Sequence, residues 1–113
     1  MLGSRVLLLG VTFKRNVADV SNSPALKVLE LLRDEGIQVA YHDPLVPRLR
    51  LERVELESVP LTPEALAGAD CVVVHTDHGG FDYDWIVEHA RLVFDTRNAA
   101  RAVKSGREKV VRL

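Results

Sequence analysis

The sequence predicts an α/β fold, a mainly parallel sheet of five or six strands with helices packed on both faces. Strand-like and helix-like segments alternate along the chain: "RVLLLG", "SPALKVLELLRDEG", "IQVAYHDP", "TPEALAGAD", "CVVVHT", "DYDWIVEHA" and "LVFDT". That alternation is the pattern of strands joined by crossover helices. Residues 71–76 begin with four consecutive apolar side chains, as in a strand covered on both faces. The 113 residues, 47% of them hydrophobic, suffice for a single domain, 1–113, around a sizeable core.

Each element follows from local chemistry. Residues 5–10 form a buried strand. Ser23 and Pro24 supply an N-cap and a proline at the first helical position. Ala25, Val28, Leu29 and Leu32 then share one helical face, and Gly36 marks the stop. Residues 37–44 are a second strand ending in an Asp-Pro turn. Residues 51–58 are a weaker third strand, apolar at alternate positions. Thr62 caps a short helix over 62–70, and strand four follows at 71–76. The helix over 82–90 turns Ile86, Val87 and Ala90 inward. Asp82 and Asp84 stand at its start, where carboxylates complement the helix dipole. Strand five spans 92–96, and 109–113 is an edge strand. Right-handed crossovers make 3-2-1-4-5 the expected core order of a three-layer, Rossmann-like domain.

Composition narrows the function. Lys plus Arg number 15 against 16 Asp plus Glu, so no global positive field invites a nucleic acid. The apolar runs are too short to span a membrane, and no secretory segment opens the chain, so a cytoplasmic location is expected. A single cysteine, Cys71, excludes an internal disulfide. It opens a buried strand at the wrong end of the sheet for a ligand and reads as structural.

In such sheets ligands bind at the carboxyl ends of the strands, where the order reverses, here between strands one and four. Three segments meet on that edge: the loop from Gly10 to Ser23, "HTDHGGFD" and "DTRN". The first loop lacks the glycines of a dinucleotide fingerprint, since none follows Gly10 until Gly36. Side chains must therefore reach for a phosphate. Phe13 and Lys14 point to opposite sides of an extended stretch. Strands one and five lie two spacings apart, roughly 10 Å, so Lys14 and Arg97 can flank one diphosphate. The pattern suits a nucleoside diphosphate, not NAD. Plainer roles stand beside these: Lys14 as a solvated lysine, Phe13 as cover for the core edge, Arg97 as a partner of Asp95 or Asp77. Asp43 reads as a turn residue in preference to a ribose ligand. Ser23 reads as a cap and not a nucleophile. His75, Asp77 and His78 lack a third ligand fixed by spacing, and no metal is assigned.

The stretches "GVTFKRNVADVSNSPALKVLELL", "YHDPLVP", "LTPEALAGADCVVVHTDH" and "FDTRNA" resemble the C-terminal UDP-binding domain of UDP-glucose/GDP-mannose dehydrogenases, from Arg5 to about Ala99. "TDH" with "FDYDWIVEHARLVFDTRNA" is most similar to the branch acting on UDP-N-acetylglucosamine and related sugars. The resemblance implies a parent enzyme that oxidises the sugar C6 alcohol to a carboxylate with two NAD+, serving polysaccharide biosynthesis. It implies an N-terminal Rossmann domain binding NAD, a central helical region with the dimer contact of a homo-oligomer, and a catalytic cysteine, all outside this chain. It also assigns Phe13, Lys14 and Arg97 to the UDP-sugar. The family motif D-x-R-x-S-P is altered here to "DVSNSP", with Ser21 in the arginine's place. The chain is thus expected to be a C-terminal fragment that binds a UDP-sugar, holds no cofactor and is inactive alone. A stand-alone nucleotide-binding or regulatory module is the alternative.

Overall fold

The computed structural model describes residues 4–12, 23–51 and 54–112. Along the chain the elements are β1 (Arg5–Leu9), α1 (Pro24–Asp34), β2 (Gln38–His42), β3 (Arg48–Arg50), β4 (Glu55–Glu57), α2 (Pro63–Gly68), β5 (Cys71–Val74), α3 (Tyr83–His89), β6 (Val93–Asp95), a 3-10 turn (Arg107–Lys109) and β7 (Val110–Arg112). Five strands form one sheet in the order β2-β1-β5-β6-β7, every neighbouring pair parallel. This is the expected Rossmann-like α/β fold.

The alternation of side chains along β1 builds two cores. Leu7 and Leu9 face α2 and α3, packing with Leu66, Val72, Ile86 and Val87. Leu8 faces the other way, toward Ala25 and Leu29 of α1 and Tyr41 of β2. The sheet is therefore the middle of three layers.

Helix ends are closed as the residue types require. The Ser23 side chain accepts from the Ala25 backbone N–H at 3.3 Å and donates to the Val11 carbonyl at 2.7 Å. One hydroxyl thus caps α1 and ties it to the segment leaving β1. At the far end Gly36 takes φ 82°. Its N–H reaches the Arg33 carbonyl, and the Ile37 N–H reaches that of Leu32, at 3.0 and 3.1 Å, a Schellman closure. Thr62 caps α2 through the Ala65 N–H, and Asp82 caps α3 through that of Trp85.

One strand differs from expectation. Residues 51–58 do not occupy the sheet edge beside β2. Part of that segment, β4, pairs antiparallel with β3 as a separate two-stranded arm. A parallel neighbour of β2 needs a crossover of a dozen or more residues, and the eight residues between His42 and Leu51 contain Pro44, Pro47 and no helix. The arm instead buries Leu49 and Leu51 against the α1 core. Its outer face carries Arg48 and Arg50 opposite Glu55 and Glu57. Expected neighbours two, one, four and five remain in order, and β7 fills the other edge.

The tail forming that edge is held by cations on carbonyls. Lys109 Nζ donates to the Val87 and Glu88 carbonyls at the end of α3, at 3.0 and 3.1 Å, where a positive charge suits the helix dipole. Arg107 Nη1 donates to the Ala100 and Val103 carbonyls, each at 3.0 Å.

Gly10, the only glycine of the first loop, has a packing role. It takes φ 80°, and a Cβ there would overlap the Thr76 carbonyl oxygen and lie 2.5 Å from the Thr76 Cβ. The close approach seats the turn after β1 on the turn after β5. Gly10→Ala is therefore expected to destabilise the chain by about 2–4 kcal/mol, from the left-handed backbone and the overlap together. Thermal or urea unfolding checks this; an unchanged midpoint would show that the contact yields freely.

Candidate functional site

The carboxyl ends of β1, β2, β5 and β6 converge on one edge, and short polar contacts lock their loops together. The His75 and Thr76 N–H groups both reach the Leu9 carbonyl, at 2.9 and 3.1 Å. Thr76 Oγ1 donates to the Thr12 carbonyl at 2.8 Å. Because that hydroxyl proton is committed, Oγ1 accepts from His75 Nδ1, 3.0 Å away, which assigns the ring proton to Nδ1.

Beneath this edge lies a buried acid. Asp43 is 2% exposed. Its Oδ2 accepts from the Val11 N–H at 2.8 Å and from His78 Nε2 at 2.9 Å, and its Oδ1 accepts from the Leu45 N–H at 2.8 Å. A carboxylate only accepts, so His78 carries its proton on Nε2, which also lies 3.3 Å from Thr12 Oγ1. Asp43 thus closes its own turn, as expected, and additionally joins the loops after β1 and β5. Its carboxylate is oriented inward, away from the role of a ribose ligand.

Asp95 does similar work after β6. It is 1% exposed, and its two oxygens accept from the Arg97, Ala99 and Ala100 N–H groups at 2.8 to 3.0 Å. Arg97 therefore uses its backbone, not its guanidinium, on Asp95. The side chain turns toward β5, and Nε donates to the His75 carbonyl at 2.8 Å. Among the described residues no carboxylate lies within ion-pair distance of Arg97. Arg97 also lines a polar pocket of 540 Å³, with Asp95, Thr96, Asn98 and Arg112. The Thr96 hydroxyl is committed to the Val74 carbonyl, so the arrangement offers two arginines and the Asn98 amide on a rigid frame, chemistry that holds an anion.

Arg97 stands where expected, at the end of β6, with one strand between β6 and β1. Phe13 and Lys14, and the altered Ser21, lie outside the described residues. Cys71 begins β5 at the opposite edge of the sheet, and burial raises its thiol pKa. His75 and His78 take different partners, Thr76 and Asp43. Sequence reasoning missed the Asp43–His78 pair and Arg112. The first joins residues 35 positions apart; only the buried-strand logic that puts residues 43 and 78 on one edge hinted at it.

Two outcomes follow from these contacts. Asp43→Asn replaces an acceptor with a donor facing N–H groups, so a loss of about 1–3 kcal/mol is expected on urea unfolding. An unaltered midpoint would mean that the buried acid is dispensable. His75 has its pKa lowered from 6.5, by burial first and the Arg97 charge second. The unfolded chain therefore takes up this proton before the folded one. Stability should fall as pH drops below about 6.5 toward the folded value, and His75→Gln should remove part of that slope. Parallel pH profiles for the two proteins would contradict this.

A family model described as the UDP-glucose/GDP-mannose dehydrogenase family, UDP binding domain, matches residues 7–102. The chain is 33% identical over 104 residues to a UDP-N-acetyl-D-mannosamine dehydrogenase of Methanococcus maripaludis, covering 83% of this chain and 22% of the relative. It is 34% identical over 105 residues to the UDP-glucose 6-dehydrogenase of Rhizobium meliloti, covering 88% of this chain and 24% of that one. Among solved structures, a UDP-N-acetyl-mannosamine dehydrogenase from S. aureus superposes with a TM-score of 0.70 at 31% identity, over 99% of this chain and 26% of that one. The chain spans about a quarter or less of the length of the curated relatives it matches. With its sheet order, its loop edge and the match over 7–102 in agreement, the chain belongs to the UDP-glucose/GDP-mannose dehydrogenase family, as a UDP-binding domain.

Proposed function

We propose that the chain holds the UDP part of a nucleotide sugar, as the C-terminal domain of an NAD-dependent UDP-sugar 6-dehydrogenase. The substrate is a UDP-N-acetylhexosamine, UDP-N-acetylglucosamine or a close relative such as the mannosamine epimer, oxidised at C6 to the uronic acid. The observation that carries the reading is the Arg97 guanidinium. It is fixed on the His75 carbonyl beside the β1–β5 crevice and has no carboxylate partner among the described residues. A cation so placed attracts the diphosphate; Lys14 supplies the second cation from the first loop, and Phe13 is a further contact to the UDP-sugar.

The division of labour is simple. This chain binds and orients the nucleotide. The NAD site, the reactive cysteine and the central helices with the homo-oligomer contact belong to the rest of a cytoplasmic parent protein. Relatives roughly four times as long support that division. On the described edge the ring nitrogens of His75 and His78 that lie beside a threonine hydroxyl carry their protons, so neither acts as a base toward it, which suits a binding role.

Calorimetry with UDP and UMP tests the reading. The chain is expected to prefer UDP, and Lys14→Ala and Arg97→Ala are each expected to weaken UDP by roughly tenfold or more, the scale of one charge-assisted hydrogen bond. Equal UDP affinity in the wild type and both variants, all folded, would refute the two-cation site. NADH formation by the chain alone, with UDP-N-acetylglucosamine or UDP-glucose and NAD+, is expected to stay at background; turnover would show that the catalytic machinery lies within these residues.

A further inference from the structure

The pocket beyond Arg97 has a second cation that neither the family match nor the sequence reading assigns. Arg112 ends β7, next to β6 at the same carboxyl edge of the sheet. Its Nη1 donates to Asn98 Oδ1 at 3.0 Å, and both residues line the 540 Å³ pocket with Asp95, Thr96 and Arg97. Asn98 is itself fixed. It takes φ 56°, the only positive-φ non-glycine residue among those described, and its carbonyl accepts from Arg101 Nη1 at 3.0 Å. The Asp95 hydrogen bonds to Arg97, Ala99 and Ala100 set this turn from below.

Charge at the pocket is unbalanced. Asp95 is the one acid in its lining, and it is buried with both oxygens filled by backbone N–H groups. Among the described residues neither Arg97 nor Arg112 has a carboxylate partner. Six of the 15 basic residues, but one of the 16 acids, fall within 97–113. Arg101, Arg107 and Lys109 donate to backbone carbonyls, and of the six only Arg97 and Arg112 line this opening. Two arginines with an amide beside them match the oxygens of a phosphate, which arginine grips through more than one N–H; the Thr96 hydroxyl is committed to the Val74 carbonyl.

We propose that Arg112 is a further phosphate-binding cation, added to Lys14 and Arg97, and that the Arg97–Arg112 pocket holds the β-phosphate of the bound nucleoside diphosphate. The inference rests on the reading of the chain as a UDP-binding domain. The pocket lies one to two strand spacings, roughly 5–10 Å, from β5 along the carboxyl edge. A nucleotide entering at the β1–β5 crevice therefore brings its distal phosphate toward it. Asn98 is a positioning residue: it contacts Arg112 and holds the fork toward the opening.

The test is a titration of the 113-residue chain with UDP, UMP and pyrophosphate, comparing wild type, Arg112→Gln, Arg112→Lys and Asn98→Ala. Arg112 is exposed at a strand end, and circular dichroism confirms that each variant folds. The expected pattern is UDP and pyrophosphate weakened roughly tenfold in Arg112→Gln, with UMP nearly unaffected. Arg112→Lys should recover part of the loss, since it keeps the charge, and Asn98→Ala should fall between. If wild type binds UDP and Arg112→Gln keeps the full preference for UDP over UMP, the inference falls while the UDP-binding reading stands. If folded wild type binds no UDP, both fall.

Discussion

The Asp43 carboxylate is the constraint on which the ligand edge depends. It is buried, and it accepts from the Val11 N–H, the Leu45 N–H and His78 Nε2. Those donors come from the loop after β1, the turn after β2 and the loop after β5. A buried carboxylate left short of donors is costly, so the three segments are bound to one geometry. Gly10 seated on Thr76, and the Thr76 hydroxyl on the Thr12 carbonyl, tie the same two loops together at a second buried point. The first loop thereby leaves the sheet from a fixed point.

A dinucleotide-binding turn brings backbone close to phosphate through several glycines. In this chain the single glycine of the first turn serves contact between two loops of the protein. In the proposed site the ligand's charge is met by side chains, of which Arg97 and Arg112 are among the described residues. The anchor of Arg97, the His75 carbonyl, belongs to the same residue whose N–H is held by Leu9. The cation is therefore referenced to the central strands and not to a loose tail. Its field also contributes to the lowered pKa of His75.

Much of the fold was legible because period, caps and stops are local. Ser23, Thr62 and Asp82 announce their helices through hydrogen bonds no more than three residues away. Ile86, Val87 and Ala90 declare their face by spacing, and all three are buried. The β3–β4 arm was not legible as such. Apolar alternation over 51–58 states that a strand exists, and only the short link through Pro44 and Pro47 decides which partner it can reach. The place of Arg97 at the carboxyl edge, after β6, was visible from strand order. The Asp43–His78 pair and the Asn98–Arg112 hold were not, because each depends on side-chain directions across separate loops. The positions of Phe13 and Lys14 were an inference from the loop's lack of glycine and from family resemblance, and lie outside the described residues.

The central claim is that the carboxyl edge between β1 and β6 is where UDP is held. Backbone amide shifts followed by NMR during a UDP titration test it most directly. The account predicts the largest shifts at 10–14, 75–79 and 96–98, with little change at Arg5, Gly68 and Cys71 at the far edge. The opposite end of the sheet carries a mainly apolar 330 Å³ pocket lined by Arg5, Gln38, Glu64 and Gly68. Shifts concentrated there, with residues 75–79 and 96–98 unmoved, would contradict the account.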